Sequence, residues 1–142
     1  MQRLHAVLGS LTGYIGALAV GGTAFADDAV SLRPVFDGLR TRGLLLVDAT
    51  AGRGTPLLRV SGQLGPPLIR VDVSIDDSLD VASIDRQLAD LETIARERSV
   101  AVALARPYPN TLGRLRAWIP GLDNRSFVLT PVSAVADTKS LR

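Results

Sequence analysis

Apolar positions recur along the chain with two different periods, and their alternation predicts helices and strands in turn. Leu4, Val7, Leu8 and Leu11 fall at i, i+3, i+4 and i+7, one face of a helix that Gly13 stops. Residues 14–20 then read as a short buried strand. Leu32, Val35, Phe36 and Leu39 form a second helical face, with Gly43 placed for a left-handed cap. Pro34 leaves two starts open for this helix. Either Ser31 caps it and Pro34 sits in the first turn, or a longer, kinked helix begins from Asp28. Residues 44–48 are a continuous apolar run ending in Asp48, the pattern of a strand buried on both faces.

The alternation continues to the end of the chain. Thr55 and Pro56 open a helix that Gly65 closes. Residues 68–73 form the next strand. A long helix follows over residues 81–98, with Ile84, Leu88, Leu91 and Ala95 on one face and Asp80 or Ser83 as its cap. Residues 100–105 are a further apolar strand. Leu112, Leu115 and Ile119 mark a helix ended by Pro120 and Gly121, and residues 127–130 are the last strand. The tail, residues 134–142, reads as frayed chain or a short helix. Strand starts fall about 24 to 32 residues apart, one β-α unit each. The fold class expected is therefore α/β, with a mostly parallel sheet of about five strands and flanking helices. A closed eight-unit barrel takes about 250 residues. At 142 residues the chain reads as a single domain, either a small open sheet or a section of a barrel.

Composition narrows the chemistry. The chain is 46% hydrophobic and 21% charged, as in a globular domain, and carries a net charge of +2. With no Cys there is no disulfide framework, thiol nucleophile or thiolate metal site, and the single His5 is too few for a histidine-based metal centre. His5, beside Leu4 and Val7, reads as a structural residue. The arginines are scattered and aromatics make up only 4%, which argues against nucleic acid as a partner. No segment reads as a membrane span. The first 26 residues suit an export signal, with Arg3 before an apolar stretch and Ala24-Phe25-Ala26 ahead of Asp27; they equally suit folded helix and strand.

Ligands of open and closed parallel sheets bind beyond the carboxyl ends of the strands. The polar residues there are Asp48, then Asp72, Asp76 and Asp77, then Arg106 with Tyr108, then Thr130 with Ser133. Carboxylates at neighbouring strand ends suit acid–base work or an oxygen-ligated divalent ion. Each also has a structural reading: Asp48 as a turn cap, Asp76 and Asp77 as loop charge ahead of a helix. Asp72, inside an apolar strand, requires a partner such as Arg70 or Arg106. The Gly52-Arg53-Gly54 stretch is too short for a dinucleotide loop, and there is no P-loop, Gly-x-Ser-x-Gly or His-Glu-x-x-His.

The order of segments carries more than any one of them. Arg3-Leu4-His5 through Gly13-Tyr14-Ile15-Gly16, Leu32-Arg33-Pro34-Val35, Arg42-Gly43-Leu44-Leu45-Leu46-Val47-Asp48, Val71-Asp72-Val73-Ser74-Ile75-Asp76, Ile84-Asp85-Arg86-Gln87-Leu88, Arg106-Pro107-Tyr108-Pro109-Asn110-Thr111 and Pro131-Val132-Ser133 follow in line. Over residues 3–136 the chain resembles the divergent polysaccharide deacetylase family. That resemblance implies a section of a distorted (β/α) barrel of the glycoside hydrolase/deacetylase type. It also implies metal-assisted removal of acetyl groups from polysaccharide, a divalent metal such as zinc, and a periplasmic or cell-envelope location in bacteria.

Three departures qualify it. The family's first strand, with a metal-binding Asp, would precede residue 1, so the chain is expected to be the C-terminal part of a longer domain. The Asn-His/Tyr-Met-Gly segment falls on Ala19-Val20-Gly21-Gly22, and Gly-His-Pro reads Ala105-Arg106-Pro107. A guanidinium there repels the cation that would polarise an acetyl carbonyl. The expectation is a truncated or catalytically degenerate deacetylase-like domain. Asp72, Asp48 and Arg106 are its candidate catalytic residues; Asp76, Tyr108 and Ser133 its candidate substrate contacts. No metal ligand or cofactor is expected in this chain. The alternatives are a non-catalytic glycan- or protein-binding α/β domain of the envelope, and an unrelated small α/β protein with a signal peptide; the location is cytoplasmic if the N-terminus is no export signal. Open sheet edges would favour self-association.

Overall fold

The structure, a computed structural model, describes residues 2–20, 28–50 and 65–139. It divides into two compact units, Met1–Arg70 with Ala136–Arg142, and Val71–Val135. Both are mixed α/β, and among the described residues every strand pairing is parallel.

In the first unit, helix α1 (Gln2–Ser10) leads through Gly13, at φ +79°, into strand β1 (Gly16–Ala19). The Tyr14 hydroxyl donates to the Leu8 carbonyl and ties the turn to the helix. Helix α2 (Ala29–Arg40) takes the longer of the two expected starts. Asp28 caps it, accepting the Val30 N–H at 3.0 Å, and Pro34 lies inside it. Its C-terminus is closed by Gly43 at φ +67°. The Leu44 N–H reaches the Leu39 carbonyl and the Gly43 N–H that of Arg40, a Schellman arrangement that only a left-handed residue permits at low cost. Strand β2 (Leu45–Asp48) is central, between β1 and strand β3 (Leu68–Arg70), which is why its apolar run is unbroken. Leu32, Phe36 and Leu39 from α2 meet Leu44 and Leu46 in a buried cluster, with Leu8, Tyr14 and Leu68 packed against it.

In the second unit, strand β4 (Val73–Ser74) pairs with strand β5 (Ala103–Leu104). Helix α3 (Val81–Arg98) is capped by Asp80, not Ser83, which instead donates its backbone N–H to the cap at 2.8 Å. Ile84 and Leu88 of α3 are buried against Val73 and Ile75. Helix α4 (Pro109–Trp118) runs into two 3-10 turns, Ile119–Gly121 and Asp123–Arg125. Helix α5 (Val132–Lys139), the last described element, begins in this unit, and its residues from Ala136 on belong to the first.

The sequence expectations need four corrections. The expected strand over 68–73 is two strands with different partners, because Asp72 and Val73 both donate to the Val102 carbonyl, as at a bulge. The five described strands accordingly form a three-stranded and a two-stranded sheet, which close no barrel among the described residues. Residues 127–130 are not a strand: Val128 is 85% and Leu129 65% exposed, and an apolar run becomes a strand only beside a partner. Leu112 and Ile119, expected on the apolar face of α4, are exposed, and Thr111 is its buried residue. The expected helix at residues 55–65 lies outside the described residues, save Gly65. No described helix is long and apolar enough to cross a membrane.

Candidate functional site

The second unit gathers its polar groups just beyond β4 and β5. Asp76, two residues past β4, is buried, and its side chain is wholly shielded from solvent. Three donors converge on it. The Arg106 backbone N–H and the Thr111 hydroxyl (3.2 Å) reach Oδ2, and the Arg106 Nη1 reaches Oδ1 at 2.9 Å. A carboxylate with so many donors is fixed in orientation. The guanidinium, 41% exposed, extends to within 3.6 Å of the outer carboxylate of Asp77, which also accepts from the Ser74 hydroxyl at 2.7 Å. One end of Arg106 is thus anchored while its edge meets solvent.

The remaining candidates are placed differently. Tyr108 is 40% exposed at the start of α4, with its backbone N–H donating to the Arg106 carbonyl in the same loop. Asp72 pairs with neither Arg70 nor Arg106. Its carboxylate takes the Val102 N–H at 2.9 Å and the Arg98 guanidinium at 3.3 Å, bracing the entry to β5 against the end of α3. Ser99, the residue after Arg98, is the left-handed C-cap of α3 at φ 65°. Ser133 and Thr130 are exposed, Ser133 on α5. Asp48, in the first unit, is 4% exposed and accepts the Thr50 N–H (2.9 Å) and hydroxyl (2.6 Å), the turn-capping arrangement.

Thr111 was not among the candidates. The signal for it lies in its position: a hydroxyl in the first turn of a helix that opens with Pro109, where side chains face the strand ends. A second polar junction, Glu92 accepting from the Trp118 indole at 2.7 Å and paired with Arg125 at 3.0 Å, lines an open groove between α3 and α4. Trp118 also packs on the core of this unit, as a structural residue does.

A hydrolytic zinc requires three protein ligands with free lone pairs and an open position. The donor set here does not fit one. Both oxygens of Asp76 are engaged, with a permanent cation at 2.9 Å, and among the described residues no three His, Cys, Asp or Glu side chains lie close enough to share an ion.

The framework is thus a parallel α/β one with acidic and basic groups past its strand ends. Residues 1–136 match the divergent polysaccharide deacetylase family, and the chain belongs to that family. It is similar to the crystal structure of an uncharacterized protein from Agrobacterium tumefaciens C58, with a TM-score of 0.89 and 28% identity over 94% of this chain. The match spans 55% of that longer chain. No curated protein matches it.

Proposed function

We propose that this chain is a section of a deacetylase-type (β/α) barrel that binds polysaccharide at its strand ends and has weak or no acetyl-hydrolase activity of its own. The observation that carries this is the closed Asp76–Arg106–Thr111 arrangement, in which Asp76, expected to contact substrate, is committed to holding Arg106, one of the residues expected to be catalytic. A fixed guanidinium with an exposed edge donates hydrogen bonds to sugar hydroxyls or an amide carbonyl, and Tyr108 supplies an exposed aromatic ring from the same loop. Asp77 accepts from hydroxyls. Asp72 and Asp48 act as braces of the loops, and Ser133 lies at the margin. The family membership supplies the ligand class, and the envelope location follows from the same reading.

Acetate release from acetylated chito-oligosaccharides, with zinc or cobalt added, tests the hydrolase half; little or no release is expected. Calorimetric titration with the same oligosaccharides tests the binding half. Tyr108→Ala, at an exposed position, is expected to weaken binding about tenfold, the loss of one ring–sugar contact of about 1.4 kcal/mol. Stoichiometric zinc with sustained turnover overturns the first half, and absence of any oligosaccharide binding overturns the second.

A further inference from the structure

Helix α3 buries Ile84 and Leu88 against β4 and presents Asp85, Ala89, Glu92 and Arg96 to the groove it shares with α4. That groove has a volume of about 460 Å³, and no strand residue lines it. Its walls are built from residues 85–125, in the helical layer of the second unit. Glu92, with a side chain 13% exposed, is the centre of its polar wall. Oε1 accepts from the Trp118 indole at 2.7 Å and lies 3.0 Å from Nε of Arg125, while Oε2 faces Arg96 at 3.5 Å. One carboxylate thus serves two guanidiniums, and the junction keeps one positive charge in excess. Neither guanidinium is fully engaged. Arg125 Nε is buried and makes no hydrogen bond, and Arg96 stands at the outer limit of hydrogen bonding. Both are nonetheless held. Arg125 donates from Nη2 to the Trp118 carbonyl at 3.3 Å and fits because Gly121 lacks a Cβ, which would collide with Nη1. Arg96 lies 5.0 Å over the Phe127 ring. Converging cations repel, and a merely structural bridge to Glu92 needs only one of them.

We propose that this groove binds an acidic sugar, whose carboxylate completes the junction between Arg96 and Arg125. A single negative charge matches the single excess positive one, and a planar carboxylate offers one oxygen to each guanidinium. The rest of the groove selects the body that carries the acid. Ala89 and Ala117 keep its middle low, and Asp85 and Arg114, paired at 2.6 Å, stand half-exposed at the far end. Arg114 holds Asp85 through Nε, leaving its terminal nitrogens to donate. A fatty or aromatic acid would leave that polar end unpaired, whereas a ring bearing hydroxyls pairs with it. A volume of this size takes a sugar unit rather than a bare ion. The site shares no residue with the one past the strand ends, so the two readings stand or fall separately.

Calorimetric titration of the full chain with trigalacturonate, at low and at high salt, tests it. Binding is expected at low salt and weakens as salt screens the charges. The methyl ester of the same trisaccharide, which keeps the rings and loses the charge, is expected to bind about tenfold more weakly. Arg96→Gln, at a position 59% exposed, is expected to weaken trigalacturonate binding by about the same factor with the far-UV spectrum retained. Arg33→Gln, an exposed arginine of the first unit, and Tyr108→Ala, past the strand ends, leave it unchanged. No binding at low salt overturns the proposal, and so does equal affinity for the methyl ester. An Arg96→Gln chain that binds as the parent does overturns it too, as does a loss on Tyr108→Ala, which would put the sugar at the strand ends. Inorganic sulfate binding as tightly as the trisaccharide would reduce the groove to a patch of charge.

Discussion

Two aspartates four residues apart divide the labour of the second unit, and their surroundings decide which one matters to stability. Asp76 is sealed from solvent and faces three donors; Asp72 is 19% exposed at its side chain and faces an arginine that is itself 66% exposed. Removing a buried partner leaves its donors without acceptors, whereas an exposed pair is largely screened. Because Arg106 retains access to water, the full cost of an orphaned buried charge is not reached. Asp76→Asn is therefore expected to lower unfolding stability by about 2–3 kcal/mol in urea titration. Asp72→Asn is expected to cost under about 1 kcal/mol. The ranking is the opposite of the one the sequence suggests. Asp72 stands among apolar neighbours in the sequence, which reads as burial, but a shift of strand pairing at that residue turns its carboxylate outward to Arg98. Such a shift depends on where the Val102 carbonyl lies, and nothing near residue 72 in the sequence records that.

At the scale of elements, the local code is plainest where one residue satisfies one backbone need. Asp80 caps α3 and its carboxyl is lowered from the ordinary 3.8 to about 2, by the Ser78 hydroxyl first and then by the hydroxyl and backbone N–H of Ser83. A carboxylate held below its unfolded value contributes stability that is complete above 3.8 and is lost as pH falls through about 2. Asp80→Asn, which keeps a capping oxygen but cannot titrate, should flatten the acid limb of a stability-versus-pH curve in that window. The close approach of β1 to β2 gives a second test. A Cβ on Gly16 would collide with the Leu45 carbonyl oxygen and lie 2.7 Å from its Cδ1, so Gly16→Ala must push the strands apart. A loss of about 1–3 kcal/mol is expected on thermal or chemical unfolding. Helix α2, its Gly43 stop and the central apolar strand β2 were legible in the sequence because period, cap and burial agree there. Residues 127–130 read as a strand in the sequence because composition states a preference, while a strand also requires a neighbour to bond.

For the chain as a whole, the decisive inventory is of electron-pair donors. One His and no Cys leave carboxylates to do any metal binding, and those past the strand ends of the second unit are already turned toward arginines. The place where the family resemblance puts an imidazole holds Arg106, and the simplest repair would be to return it. Arg106→His removes the repelling cation and frees Oδ1 of Asp76, yet it leaves two donors where a catalytic zinc takes three and an open position. It also withdraws the guanidinium that holds Asp76, so the carboxylate becomes a less ordered ligand even as it becomes a freer one. A bound water reaches a pKa near 7 only when the ion is held firmly enough for its charge to act on that water. The variant is therefore expected to bind zinc weakly and below stoichiometry, by equilibrium dialysis. It should release no more acetate from acetylated chito-oligosaccharides than the parent chain. A single substitution that restored both zinc and turnover would mean that a third ligand stands within reach, and would reverse the reading of this domain as one whose hydrolytic centre is incomplete.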